Sequence, residues 1–343
     1  ARQALKGPWA GYSIQDRVDI LYKVADGINA RFDEFLEAEC LDTGKPYSLA
    51  SHIDIPRGAA NFKIFADTIK NAADEAFHMP TPDGTGALNY TVRKPKGVIG
   101  VIGPWNLPLL LMTWKIAPAM ACGNTVVVKP SEETQLTSSL LGEVMNDAGV
   151  PKGVYNVILG KGREVGEALI TNPGLDAITF TGSTATGERI AAAASVGVRD
   201  SSLELGGKNA GIVFADCDMD KAIEGTLRSA FANCGQVCLG TERLYVERSI
   251  FDEFVQRLKE GAEALKLGRS EDPETNMGPL ISAAHREKVL SYYKAAVDEG
   301  ATVVTGGGIP DMPEDLSGGY WVEPTIWTGL PETSKVVQEE IFG

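Results

Sequence analysis

The stretch Gly97-Val98-Ile99-Gly100-Val101-Ile102-Gly103-Pro104-Trp105-Asn106-Leu107-Pro108-Leu109 decides the architecture. A continuous apolar run of strand length, without polar alternation, reads as a strand covered on both faces. It ends on glycine and proline before a helical pattern over 112–121. The unit then recurs. Thr125-Val126-Val127-Val128 is a second buried strand, ending at Lys129-Pro130-Ser131-Glu132 and followed by a helix over 137–148. Strands over 154–159 and 177–180 each lead through a glycine-bearing turn into another helix, the second running to about 194. Strands alternating with helices of about 10–15 residues mean βαβ units. The fold class is therefore α/β, with a doubly wound, Rossmann-like parallel sheet.

Working outward, Ser13 precedes an apolar series that predicts a helix over 13–45, stopped by Thr43-Gly44-Lys45-Pro46. A second helix is predicted over 50–73. It contains Pro56, which marks a kink or a helix start, and Arg57. The cluster Pro80-Thr81-Pro82-Asp83-Gly84-Thr85-Gly86 and the alternation from Leu88 to Arg93 read as a β-ribbon that leans on another domain or subunit. Residues 242–330 read as a second α/β unit. These readings divide the chain into a cofactor domain (1–77 and 96–205), a ribbon (78–95) and a catalytic domain (206–343). Glu339-Glu340-Ile341-Phe342-Gly343 shows no capping signal, so we read the catalytic domain as continuing in a longer chain. Such a piece alone is expected to be inactive or poorly folded.

At 343 residues the chain is long enough for two cores, and 43% apolar with 23% charged residues is an ordinary globular balance. A net charge of −14 excludes a phosphate-binding surface for nucleic acid. No apolar run reaches the roughly 18 residues needed to span a bilayer. Five cysteines without regular spacing and no leader-like segment predict a reducing, cytoplasmic setting. Three scattered histidines and no paired cysteine motif predict no metal.

Chemistry concentrates in two segments. Leu203-Glu204-Leu205-Gly206-Gly207-Lys208 and Asn233-Cys234-Gly235-Gln236-Val237-Cys238-Leu239 place a carboxylate and a thiol 34 positions apart, each beside glycines in apolar surroundings. A thiolate that attacks and a desolvated carboxylate that later deprotonates water form a workable pair, although either residue also serves as a core or ion-paired side chain. Two glycine turns, Gly160-x-Gly162 and Gly182-Ser183-Thr184, read as phosphate cradles or plain tight turns. Lys129 and Glu132 follow a buried strand, where an acid takes ribose hydroxyls or faces a helix dipole.

Seven motifs in order resemble the NAD(P)-dependent, non-acylating aldehyde dehydrogenases over nearly the whole chain. They are Pro104-Trp105-Asn106-Leu107-Pro108-Leu109, Val128-Lys129-Pro130-Ser131-Glu132, Phe180-Thr181-Gly182-Ser183-Thr184, the Glu204 and Cys238 segments, Met277-Gly278-Pro279-Leu280 and the closing Glu339-Glu340-Ile341-Phe342-Gly343. The resemblance implies NAD as cofactor and a homodimer or homotetramer. It implies Cys238 as nucleophile, Asn106 with the Cys238 N–H as oxyanion donors, and Glu204 as the base that activates water. Lys129, Glu132, Gly162, Gly182, Ser183 and Trp105 are implied around the adenosine and pyrophosphate, and Glu340 and Phe342 around the nicotinamide ribose and ring. The segments around Asp54-Ile55-Pro56-Arg57 and Gly86-Ala87-Leu88-Asn89-Tyr90 resemble the group acting on 2-hydroxymuconic and 2-aminomuconic semialdehydes. There Arg57 is implied to face the substrate carboxylate, where a guanidinium fork fits; otherwise it is an exposed helix arginine. Rival readings are a generalist or betaine-type aldehyde dehydrogenase, and a non-catalytic protein on the same scaffold.

Overall fold

The computed structural model describes residues 1–343. In chain order the elements begin with α1 (Ile14–Ala30), α2 (Phe32–Thr43), α3 (Tyr47–His52), α4 (Asp54–Lys70), β1 (Ala76–Met79), β2 (Ala87–Tyr90), β3 (Val98–Ile102), α5 (Pro108–Ala121), β4 (Thr125–Lys129), α6 (Leu136–Asp147) and β5 (Tyr155–Val157). They continue with α7 (Glu167–Thr171), β6 (Ala177–Gly182), α8 (Thr184–Ser195), β7 (Asp200–Leu205), β8 (Ala210–Val213), α9 (Met219–Phe231) and β9 (Arg243–Val246). The last are α10 (Phe251–Glu263), α11 (Ala283–Asp298), β10 (Thr302–Thr305), β11 (Ile326–Thr328) and α12 (Lys335–Gln338). Two compact units form: Ala1–Phe35, Ile55–Thr181 and Ala185–Leu203 in the first, and Leu36–Asp54, Gly182–Thr184 and Glu204–Gly343 in the second.

The first unit is built on a five-stranded sheet of order β5-β4-β3-β6-β7. β3 runs parallel to β4, from Val98 opposite Thr125 to Ile102 opposite Lys129, and parallel to β6 on its other side. The chain winds outward from β3 through β4 and β5, then crosses back to β6. That puts the reversal of strand order at the β3–β6 junction, the place where such sheets take nucleotides beyond the strands' carboxyl ends. β3 is buried over Val98–Val101 because helices cover both faces. Ser13 starts α1 with a reciprocal cap: its Oγ accepts from the Asp16 N–H at 3.1 Å, and the Asp16 carboxylate accepts from the Ser13 N–H at 2.8 Å. Trp9 anchors the segment before it, donating its indole N–H to the Gly123 carbonyl at 3.0 Å. The β1–β2 ribbon pairs Ala76 with Tyr90 and Met79 with Ala87, and it exposes Phe77, Met79, Leu88 and Tyr90.

Both long N-terminal helices expected from sequence are broken in two. The first stops at Arg31 (φ −111°, ψ 30°), whose guanidinium is held at 2.7 Å by both Glu34 and Glu143. The second is interrupted at Ile53, and α4 restarts at Asp54. That places Pro56 in the first turn of α4, where its missing N–H costs no helical bond.

The second unit carries two strand pairs, β8 parallel to β9 and β10 antiparallel to β11. Phe254 and Leu258 of α10 pack against Val213 and Ile223 in one core, while Val289, Tyr292 and Tyr293 of α11 gather Met277, Leu280 and Ile341 in another. Residues 36–54 belong to this unit through backbone contacts: Tyr47 N–H donates to the Ser270 carbonyl at 2.8 Å, and Ser270 Oγ to the Gly44 carbonyl at 3.0 Å. Gly278 is required here, because a Cβ on it would lie 2.0 Å from the Gly44 oxygen. Lys45 is fully buried between Asp54 (3.0 Å) and Glu39 (3.5 Å). Burial pushes the Asp54 carboxyl up despite Lys45. No helix is long and apolar enough to cross a membrane.

Candidate active site

Cys238 lies on the loop that follows α9, and the residues around it explain why the motifs occur together. Asn233 and Cys234 adopt left-handed backbone, φ 53° and 59°, so Cys234 does not sit one helical turn before Cys238 as a helical segment would place it. Buried Gln236 pins the turn: its Nε2 donates to the Asn233 carbonyl at 3.0 Å and its Oε1 accepts from the Ile281 N–H at 3.1 Å. The Cys234 thiol donates to the Gly278 carbonyl at 2.9 Å. It is pushed up to about 12 by burial, as a packed thiol is. Asn209 donates to the carbonyls of Cys238 (2.7 Å) and Gly240 (3.0 Å). An apolar cavity of about 320 Å³ in this unit is lined by Phe231, Leu244, Phe254 and Trp327, and by neither Cys238 nor Glu204.

The Cys238 side chain is half-buried, and its protonation is set by opposing groups. Burial raises the thiol, its own N–H and that of Leu239 lower it, and the Glu340 and Glu204 carboxylates raise it further. The result stands above the ordinary thiol value. Glu204, in β7, is exposed rather than desolvated as the sequence suggested. β7 is an edge strand, and its two-residue alternation turns Leu203 and Leu205 toward partial burial and Glu204 outward.

Glu340 accepts from the Gly207 N–H at 3.3 Å, and burial raises its carboxyl. Gly206 makes room for it, since a Cβ there would come within 2.1 Å of its carboxylate oxygen. Phe342 is left-handed at φ 66°, and its carbonyl accepts from His285 Nε2 at 2.7 Å. Glu242 accepts from the N–H groups of Ile341 and Phe342 and from Lys208 Nζ. Sequence reading missed Glu242, Lys208, Asn209, Gln236 and His285.

In the first unit, Asn106 is buried just before α5, with Trp105 half-buried beside it in sequence. Lys129, buried at the end of β4, donates to the Pro130 carbonyl at 2.9 Å and to Glu132 at 3.3 Å. The other Glu132 oxygen accepts from the Gly162 N–H at 3.0 Å. Burial works to raise Glu132, but the Gly162 N–H and Lys129 outweigh it and hold the carboxyl below its ordinary range. Gly162 and Gly166 border the pair: a Cβ at Gly162 would lie 3.8 Å from a Glu132 carboxylate oxygen, and one at Gly166 3.6 Å from the Lys129 Cδ. That arrangement fits the diol of an adenosine ribose. In the second unit, Gly182 ends β6 and Ser183 stands immediately before α8, whose first amides suit a pyrophosphate. Arg57, on α4, is exposed and has no ion-pair partner.

The model of the aldehyde dehydrogenase family matches residues 1–343. The chain belongs to that family. It is 73% identical over 344 aligned residues to a 2-hydroxymuconic semialdehyde dehydrogenase of Pseudomonas sp. strain CF600, covering all of this chain and 71% of that protein. It is 53% identical to a 2-aminomuconic 6-semialdehyde dehydrogenase of a Pseudomonas species, covering 99% of this chain and 70% of the relative. A betaine aldehyde dehydrogenase of Staphylococcus aureus, solved with NAD+, superimposes with a TM-score of 0.95 at 40% identity, covering all of this chain and 67% of that one. The TM-score extends to the whole α/β architecture derived above.

For this aldehyde dehydrogenase the position of Cys238 yields a measurable pH dependence. A raised thiol keeps thiolate scarce at neutral pH, so its alkylation by iodoacetamide is expected to rise with pH to beyond the ordinary thiol range. Glu340→Gln removes the larger of the two carboxylate contributions. The profile should move toward acid, with faster alkylation at neutral pH. An unmoved profile would mean that Glu340 does not act on the sulfur.

Proposed function

We propose that the protein carries out NAD-dependent oxidation of a carboxylate-bearing semialdehyde, the 2-hydroxymuconic or 2-aminomuconic 6-semialdehyde, to the dicarboxylate. The observation that carries the reading is a half-buried thiol under the influence of two carboxylates, Glu340 and Glu204. Cys238 thiolate adds to the aldehyde carbon and the carbonyl oxygen becomes an oxyanion. The Cys238 N–H donates to it, and in such sites one lost donor costs roughly 2.7–4 kcal/mol. NAD, when bound, would supply the hydride acceptor, and the adduct is left as a thioester on Cys238. Glu204 then takes a proton from water, the hydroxide attacks the thioester carbonyl, and the C–S bond breaks to release the acid and the sulfur. The exposure of Glu204 supports this role, since its water must come from solvent. Lys129 and Glu132 hold the adenosine ribose, and the Glu132 charge repels a 2′-phosphate, favouring NAD. Five free cysteines and the exposed apolar ribbon support a cytoplasmic homo-oligomer, dimer or tetramer.

Arg57 is assigned to the distal carboxylate of the substrate. The test is NADH formation with both ring-fission semialdehydes and with an aldehyde lacking that carboxylate, in wild type and Arg57→Ala. Loss of a charge-assisted hydrogen bond predicts a KM for the semialdehydes raised by about tenfold or more, with the neutral aldehyde unaffected. Unchanged kinetics would make Arg57 a solvated helix residue, and equal turnover of the neutral aldehyde by wild type would make the enzyme a generalist.

A further inference from the structure

The reactive segments of the second unit share one buried fastening. Glu242 lies four residues after Cys238, and Lys208 four after Glu204. Lys208 Nζ donates to Glu242 Oε2 at 2.6 Å, and both side chains are largely buried, at 6% and 14% exposure. The same Oε2 accepts from the Ile341 N–H at 3.0 Å, and Oε1 from the Phe342 N–H at 3.1 Å. Arg243 Nε reaches back to the Lys208 carbonyl at 3.0 Å, and the Gly207 N–H donates to Glu340. The base segment, the nucleophile loop and the 340–342 segment thus converge on one carboxylate.

We infer that Glu242 is a positioning residue for cofactor binding: with Lys208 it fixes the backbone of Ile341 and Phe342, and so the orientation of Glu340 and Phe342 toward the nicotinamide end of NAD. The inference rests on the reading of Glu340 and Phe342 as cofactor contacts. Phe342 needs such a hold. A non-glycine residue at φ 66° occupies a sparsely populated region and stays there only when its surroundings over-determine it. Here the N–H is held by Glu242 and the carbonyl by His285. The carboxylate is also the right chemistry. Three donors converge on two oxygens, and a neutral amide has only one oxygen to offer. In Glu242→Gln the side-chain NH₂ must face either the Phe342 N–H or the Lys208 ammonium and Ile341 N–H, donor against donor.

Two readouts test the inference in the purified protein. The first needs no cofactor: hydrogen exchange at the Ile341 and Phe342 amides should accelerate by about tenfold in Glu242→Gln, with β8 and α9 unchanged. The second is NAD affinity, which should weaken by about tenfold. Glu242→Asp keeps the charge on a shorter side chain. It should show the same changes at smaller size, and it carries the test if the glutamine variant does not fold. Unaltered exchange at both amides, or unaltered NAD affinity in a wild-type-active protein, overturns the inference. Failure of wild type itself to bind NAD or form NADH overturns instead the reading of Glu340 and Phe342, and the exchange data still report whether Glu242 holds the segment.

Discussion

Cys238→Ser is expected to lower NADH formation by on the order of 10⁴-fold, the largest effect of any single substitution in the protein. A serine hydroxyl has almost no anionic fraction at neutral pH, and it becomes a nucleophile only with a base held against it. No side-chain base is hydrogen-bonded to the Cys238 sulfur. Glu204 is exposed, and Glu340 is engaged with the Gly207 N–H. The fold should survive, because the loop is held by the Gln236 amide, the Cys234 thiol and Asn209 acting on backbone carbonyls, none of which involves the Cys238 sulfur. Serine is also close to cysteine in size, so little packing is lost. The measurement is NADH absorbance on mixing with a semialdehyde, alongside NAD affinity and thermal melting. Retained NAD binding and melting with lost turnover place the sulfur in the bond-making step. Turnover within a fewfold of wild type would remove the covalent intermediate, and with it the proposed reaction.

The parallel sheet was legible in the sequence because its central strands are covered on both faces, which forces an unbroken apolar run such as Val98–Ile102. β7 and β8 were missed for the opposite physical reason. Asp200-Ser201-Ser202 is polar and exposed on a sheet edge, and Ala210–Val213 is too short and too glycine-bearing to stand out. α9 did carry a readable signal, the Asp218 cap that accepts from the Lys221 N–H at 3.2 Å. The break at Ile53 was announced by Pro56, which falls in the first turn of α4, but the one at Arg31 has no local breaker residue. Arg31 is held by Glu143 from a distant helix, and that contact is invisible to a helical pattern.

In the candidate site, residue types and glycine flanks singled out Cys238 and Glu204 as a workable pair, and the family resemblance supplied their roles. The supporting residues were not recognisable. Glu242 meets Ile341 and Phe342 across 99 and 100 positions, and His285 meets Phe342 across 57, so nothing local distinguishes them from surface charges. Sequence also misjudged the environment of Glu204. Apolar neighbours at 203 and 205 suggested desolvation, whereas in a strand those neighbours point to the opposite face.

That exposure shapes the second large effect, expected for Glu204→Gln. The variant should form one NADH per active site at close to the wild-type rate and then slow, with kcat reduced by about 10²–10⁴-fold. Addition of the thiolate and formation of the thioester do not require Glu204, so the first turnover survives. Removing its charge also removes one of the two carboxylates that raise the Cys238 thiol, so acylation at neutral pH should be equal or slightly faster. Hydrolysis of the thioester then waits for unassisted water. Rapid-mixing absorbance gives the burst amplitude, and mass spectrometry of the quenched protein should find the acyl group on Cys238. Glu340→Gln is the discriminating control, because its carboxylate acts more strongly on the sulfur yet accepts from Gly207 and has no assigned role in activating water. A burst with Glu340→Gln but not with Glu204→Gln would exchange their roles. A Glu204→Gln protein whose first turnover is as slow as the later ones would show that this carboxylate acts before the thioester forms.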